Sequence, residues 1–137
     1  MEPIDLLKKN LALFRKLREV VKRQLSFISE DKIEPFLDLT YKRERLQHDI
    51  DRLEETFREM TGHMSEKALK ARTGSVSMEI VEVIGSIRDM DEKIRDLIER
   101  GRDDVLRDLK KLRQGRKALK GYGRTYSASP KFIDRDG

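Results

Sequence analysis

The stretch Leu46-Gln47-His48-Asp49-Ile50-Asp51-Arg52-Leu53-Glu54-Glu55-Thr56-Phe57-Arg58-Glu59-Met60 carries its apolar residues at Leu46, Ile50, Leu53, Phe57 and Met60. Their steps of 4, 3, 4 and 3 are those of an α-helix that lays one seam against neighbouring helices. Upstream, Ile33, Phe36, Leu37 and Leu39 extend the seam, and Arg43 occupies the slot between Leu39 and Leu46. Asp31 and Glu34 have capping-box spacing, and Pro35 falls in the first turn, where proline is tolerated. A helix is therefore expected over 31–60.

Before it, Pro3 is a good first-turn residue because its missing N–H has no partner there anyway. Ile4, Leu7, Leu11, Phe14, Leu17, Val21, Leu25 and Ile28 follow as one stripe, predicting a first helix over 3–28. Ser29-Glu30-Asp31 breaks the pattern. After Met60, Gly62 and Gly74 bracket a Ser/Thr-containing segment, read as a connector over 61–75. A third helix is expected over 76–121, with Ser75 or Ser77 as N-cap. Its stripe is Ile80, Val83 or Ile84, Ile87, Met90, Ile94, Leu97 or Ile98, then Gly101, Val105, Leu109, Leu112 and Leu119. Gly101 is a place where that helix either continues or breaks and folds back as a fourth. Residues 123–137 are polar, lack a period and read as a flexible tail.

Composition agrees with this outline. Of 137 residues, 42% are charged and 36% hydrophobic. A compact sphere cannot seat so many charges, whereas thin helices bring nearly every residue to water. The predicted fold is all-α: one helical domain over 1–122, an elongated antiparallel three-helix bundle of coiled-coil character with a long overhanging third helix. Cysteine is absent, which excludes disulfides and thiolate metal sites. The N-terminus has no apolar signal core, and no run approaches the ~20 apolar residues of a membrane span, so a cytoplasmic protein is expected.

The helix lengths carry a functional expectation. Helices of roughly 26, 30 and 45 residues span about 39, 45 and 67 Å. Antiparallel neighbours would then leave the third helix without an intramolecular partner beyond about Val105. It still carries Val105, Leu106, Leu109, Leu112 and Leu119 there. An apolar stripe without a partner in its own chain calls for one outside it, so these five residues are the candidate partner-binding surface.

Enzymatic constellations are not found. His48 and His63 belong to no HExxH or ExxH pattern, and neither a P-loop nor a GxGxxG is present. No catalytic, metal or cofactor site is predicted. Arg43 is the one charge in an apolar seam. It reads as a side chain that covers the stripe with its stem and pairs with Glu44 or a carboxylate opposite, rather than as an anion-binding cation of a small helical mutase. Between Arg107 and Arg124 eight basic residues face one acid, Asp108. That cluster supports a nucleic-acid reading through phosphate neutralisation, but helix C-termini favour cations anyway, and Tyr122 and Tyr126 are too few for a stacking platform.

Two stretches resemble a known family. Glu30-Asp31-Lys32-Ile33-Glu34-Pro35-Phe36-Leu37, with Tyr41-Lys42-Arg43-Glu44-Arg45-Leu46 and the Ile50–Leu53 repeat, is similar to the second helix of FlgN/FliT-type flagellar export chaperones. Gln114-Gly115-Arg116-Lys117-Ala118-Leu119-Lys120-Gly121-Tyr122, with Pro130-Lys131-Phe132-Ile133-Asp134, resembles the end of many members. The resemblance implies a cytoplasmic chaperone that binds a hook–filament junction or filament cap subunit through its C-terminal helical segment. It would hand that subunit to the type III export apparatus, whose components are further expected partners, and the resemblance implies Leu109, Leu112, Leu119 and Tyr122 as client-facing residues. A second copy of the chain is an alternative occupant of the stripe, making the protein a dimerising adaptor. Nucleic acid is the other alternative, and no cofactor is implied.

Overall fold

The computed structural model describes residues 2–118, with side chains through 115. It contains three helices in chain order, α1 (Pro3–Ser29), α2 (Ile33–Thr61) and α3 (Glu66–Ala118). Contacts group the chain into two units, Met1–Ile94 and the part from Arg95 onward, where one domain over 1–122 is expected from the helix pattern. Ile94 is the last buried residue among those described, so the division falls where the core ends. Residues 119–137, including Leu119, Tyr122 and the tail expected over 123–137, lie outside the described residues.

The first unit is the three-helix bundle. Pro3 opens α1, and the Glu2 N–H donates to Asp5 Oδ2 at 3.1 Å. The buried face of α1 holds Leu11, Phe14, Leu17, Val21 and Ile28 from the predicted stripe, and also Leu6, Asn10, Val20 and Gln24. The added residues recur at heptad steps beside the stripe, which widens the face so that it meets both α2 and α3. Leu39, Leu46 and Ile50 form the buried seam of α2. On α3 the seam is Val76, Ile80, Val83, Ile87 and Ile94, with Val83 chosen over Ile84. Burying such a side chain fully contributes about 1.5–3 kcal/mol.

Four contacts orient the helices. Gln24 of α1 meets Thr40 and Arg43 of α2, and Leu6 and Asn10 of α1 share a cleft with Leu53 and Phe57, so α1 and α2 are antiparallel. Arg43 reaches Asp91 of α3, and Arg15 of α1 pairs with Glu79 at 3.3 Å. Helix α3 therefore runs in the same sense as α1.

Two local expectations are corrected. The capping box at Asp31 and Glu34 does not form: Lys32 is the N-cap of α2, and no side chain caps it. Asp31 instead adopts φ 58° and serves the end of α1. Its N–H donates to Ile28 O at 3.2 Å, and the Lys32 N–H donates to Phe27 O at 2.8 Å. This is a Schellman closure with aspartate in the left-handed position that glycine usually takes. The connector placed over 61–75 shrinks to the turn between Thr61 and Glu66. Glu66-Lys67-Ala68-Leu69-Lys70-Ala71-Arg72 consists of strong helix formers. Ser65, not Ser75 or Ser77, starts α3, its hydroxyl accepting from the Ala68 N–H at 3.2 Å. Burial of Thr73 and Val76 then draws Gly74 into the helix despite its cost of about 1 kcal/mol. Gly101 is also helical, and α3 continues through it to Ala118.

Candidate interaction surfaces

The first polar constellation lies inside the bundle. Arg43 donates to both carboxylate oxygens of Asp91, at 2.7 and 2.5 Å, and to Gln24 Oε1 at 3.3 Å. Gln24, only 2% exposed, donates from its own amide to Phe36 O at 3.2 Å and to Thr40 Oγ1 at 3.3 Å. One side chain from each helix thus closes a network in which the guanidinium is satisfied by a bidentate carboxylate. Arg43 is a structural cation with its anion supplied by the chain, which leaves no vacancy for an external anion. The opposite carboxylate is Asp91, and Glu44 takes no part among the hydrogen bonds described. Gln24 and Asp91 were not singled out by the apolar periodicity, because both are polar residues adjoining a buried face.

A second feature is the shallow cleft between α1 and α2 lined by Leu6, Leu7, Asn10, Leu53 and Phe57. Asn10 is 4% exposed and its Oδ1 has no hydrogen-bond partner. His48 and His63 are both exposed. No cluster of metal-ligating side chains occurs among the described residues.

The predicted partner-binding residues lie in the second unit. Val105 and Leu109 are half-buried, while Leu106 and Leu112 are 48% and 42% exposed. Val105, Leu109 and Leu112 follow at steps of 4 and 3 and therefore share one side of α3. Leu106 stands beside Val105 and widens that side. Around them Arg107, Asp108, Lys110, Lys111 and Arg113 are exposed. Arg107 is bound only loosely to Asp104, at 3.5 Å with both side chains about two-thirds exposed, a pair of little energetic weight. The arrangement is an apolar strip in a basic surround. It is suited to an amphipathic helix with acidic flanks, and it carries no nucleophile, base or ligand set. Leu119 and Tyr122 belong to the same prediction but lie outside the described residues.

A third surface was not anticipated. Met78 and Val81 of α3 are 69% and 67% exposed, on the side away from the bundle seam.

No helix among the described residues is long and apolar enough to cross a membrane. A family model described as FlgN protein matches residues 1–130. No curated protein and no solved structure matches the chain.

Proposed function

Because the chain belongs to the FlgN family of flagellar export chaperones, we propose that it binds the C-terminal helical segment of a hook–filament junction subunit in the cytoplasm and presents it for type III export. The observation that carries this reading is the strip Val105–Leu109–Leu112 with Leu106 beside it. A family match over residues 1–130 supports a flagellar subunit as the partner, and the strip supports one kind of contact: an amphipathic helix laid along apolar anchors at 4 and 3 spacing. The basic surround of Arg107, Lys110, Lys111 and Arg113 selects a client helix with acidic residues beside its apolar face. Holding that helix keeps an aggregation-prone surface of the subunit covered before export. Leu119 and Tyr122, outside the described residues, belong to the proposal on sequence alone.

The test is capture of purified junction and cap subunits by the full chain, followed by calorimetric titration with Leu109→Ala/Leu112→Ala. Alanine is the best helix former, so the double variant keeps α3 while removing two anchors. Losing about 1–1.5 kcal/mol per leucine predicts roughly 30- to 150-fold weaker binding of the junction subunit. Equal binding by wild type and variant, or no subunit bound by either, refutes the proposal. A preference for the cap subunit keeps the surface and replaces the client.

A further inference from the structure

Within the first unit, α3 has apolar character on two sides. The inner seam, Val76, Ile80, Val83, Ile87 and Ile94, is buried. At 100° per residue the line Ala71, Gly74, Met78, Val81 and Gly85 lies roughly opposite that seam. An exposed helix face of a protein this charged is expected to be polar, yet no charge falls on this line from Ala71 to Gly85. Met78 and Val81 stand at its middle, 69% and 67% exposed. A Cβ built on Gly85 meets nothing within 4 Å, so the face is open there, and glycine lets another backbone approach closely. The steps 3, 4, 3, 4, continued to Lys67 before and Arg88 and Glu92 after, make a heptad seam on the outside of the molecule.

We propose that this outer face pairs antiparallel with the same face of a second copy of the chain, about a two-fold axis next to Met78 and Val81. The occupant follows from the charge pattern. One end of the line carries Lys67 with Lys70 beside it, and the other carries Glu92 with Asp89 beside it, all exposed. Antiparallel pairing that sets Met78 against Val81 of the copy also sets Gly74 against Gly85 and Lys67 against Glu92, each twice by symmetry. Arg88 then faces Ala71, where its stem covers a small residue and its head reaches water. Parallel pairing would stack Lys67 on Lys67 and Glu92 on Glu92. The face is therefore self-complementary in one orientation only, as an isologous contact requires. Some 26 residues of helix span about 39 Å. The area they bury is on the order of 1,000 Å², at the lower edge of specific interfaces, which makes the dimer reversible at micromolar concentrations or above. This pairing is independent of client binding, which uses residues beyond Val105.

Sedimentation equilibrium of the full chain from low micromolar to about 1 mM is the test. Wild type is expected to show a reversible rise in mass from the 16.1 kDa monomer toward twice that value. Val81→Asp buries a charge on each side of the axis and should raise the dissociation constant about tenfold or more. Lys67→Glu and Glu92→Lys should each weaken self-association alone, and an equimolar mixture of those two variants should recover it, because a mixed pair restores both contacts. Circular dichroism of each variant shows whether it is folded. The proposal is overturned by a wild type monomeric throughout, by charge variants that dimerise no better mixed than apart, or by a dimer that survives Val81→Asp but is lost in Leu109→Ala/Leu112→Ala. Loss of client binding in Val81→Asp, with an unchanged mass profile, assigns the face to the client and likewise overturns it.

Discussion

Replacing Asp91 by alanine tests what holds α3 against α2. The carboxylate receives two guanidinium hydrogen bonds from Arg43, whose only other described partner is Gln24 Oε1 at 3.3 Å. The Arg43 and Asp91 side chains are 31% and 29% exposed. That places the pair between two limits. Exposed ion pairs contribute about 0.2–1 kcal/mol, and breaking a fully buried pair costs about 3–5 kcal/mol. With a third of each side chain in water, Arg43 can turn its head outward when Asp91 is removed, but it then abandons Gln24. A cost near 1.5 kcal/mol follows, or roughly 4–6 °C in melting temperature for a chain of this size. The assay is urea and thermal unfolding followed by circular dichroism on Asp91→Ala, Arg43→Ala and the double variant. A coupling energy of about 1–2 kcal/mol is expected from the cycle. Because the network is partly shielded, most of that coupling should persist at 0.5 M salt. A coupling below about 0.3 kcal/mol, or one abolished by salt, would refute the view that this pair is a structural clamp.

Other substitutions have worked outcomes. Asp31→Gly relieves a left-handed backbone at φ 58° and should raise stability by about 0.5 kcal/mol after the added freedom of the unfolded chain is subtracted, read from the urea midpoint. Asn10→Leu removes a buried acceptor that has no donor and extends apolar lining in the cleft beside Leu6 and Phe57. A gain of about 1 kcal/mol is expected in the same titration, and a loss of more than that would show the amide is satisfied in solution. Ile50→Ala empties a fully buried site in the centre of α2 (0% exposed) and should cost about 3 kcal/mol or more, with accelerated hydrogen exchange across α2.

The sequence made α1 and α2 legible for definite reasons. Pro3 fixes one boundary, Ser29-Glu30-Asp31 the next, and Leu46 to Met60 keeps heptad steps without interruption. The start of α3 was not legible because Gly62, Gly74 and the Ser/Thr residues between Thr61 and Ser77 outweigh the helix formers Glu66–Arg72 by composition. What decides the matter is Ser65 capping and the burial of Thr73 and Val76, the latter a tertiary term that no local pattern contains. Asn10 and Gln24 went unread for a related reason: a hydropathy stripe shows where apolar residues lie, not which polar ones a broader interface will cover. The seam position of Arg43 calls for either Glu44 or an opposite carboxylate, and only the fold decides for Asp91, which lies far along the chain. The strip from Val105 to Leu112 was visible because it is apolar among lysines and arginines. The line through Met78 and Val81 was not, since its glycines and alanine carry no hydropathy signal and its period runs out of phase with the stronger inner seam.

Helices packed through aliphatic seams alone can slide past one another by seven residues and find nearly the same surface. In this bundle such a slip would place Arg43 opposite Ile84 or Ile98 in place of Asp91, stranding a guanidinium against methyl groups. The Gln24–Arg43–Asp91 network thus acts as an index pin that sets the register of α3, and it offers one reason for an ion pair and an amide to stand where leucines would pack more tightly.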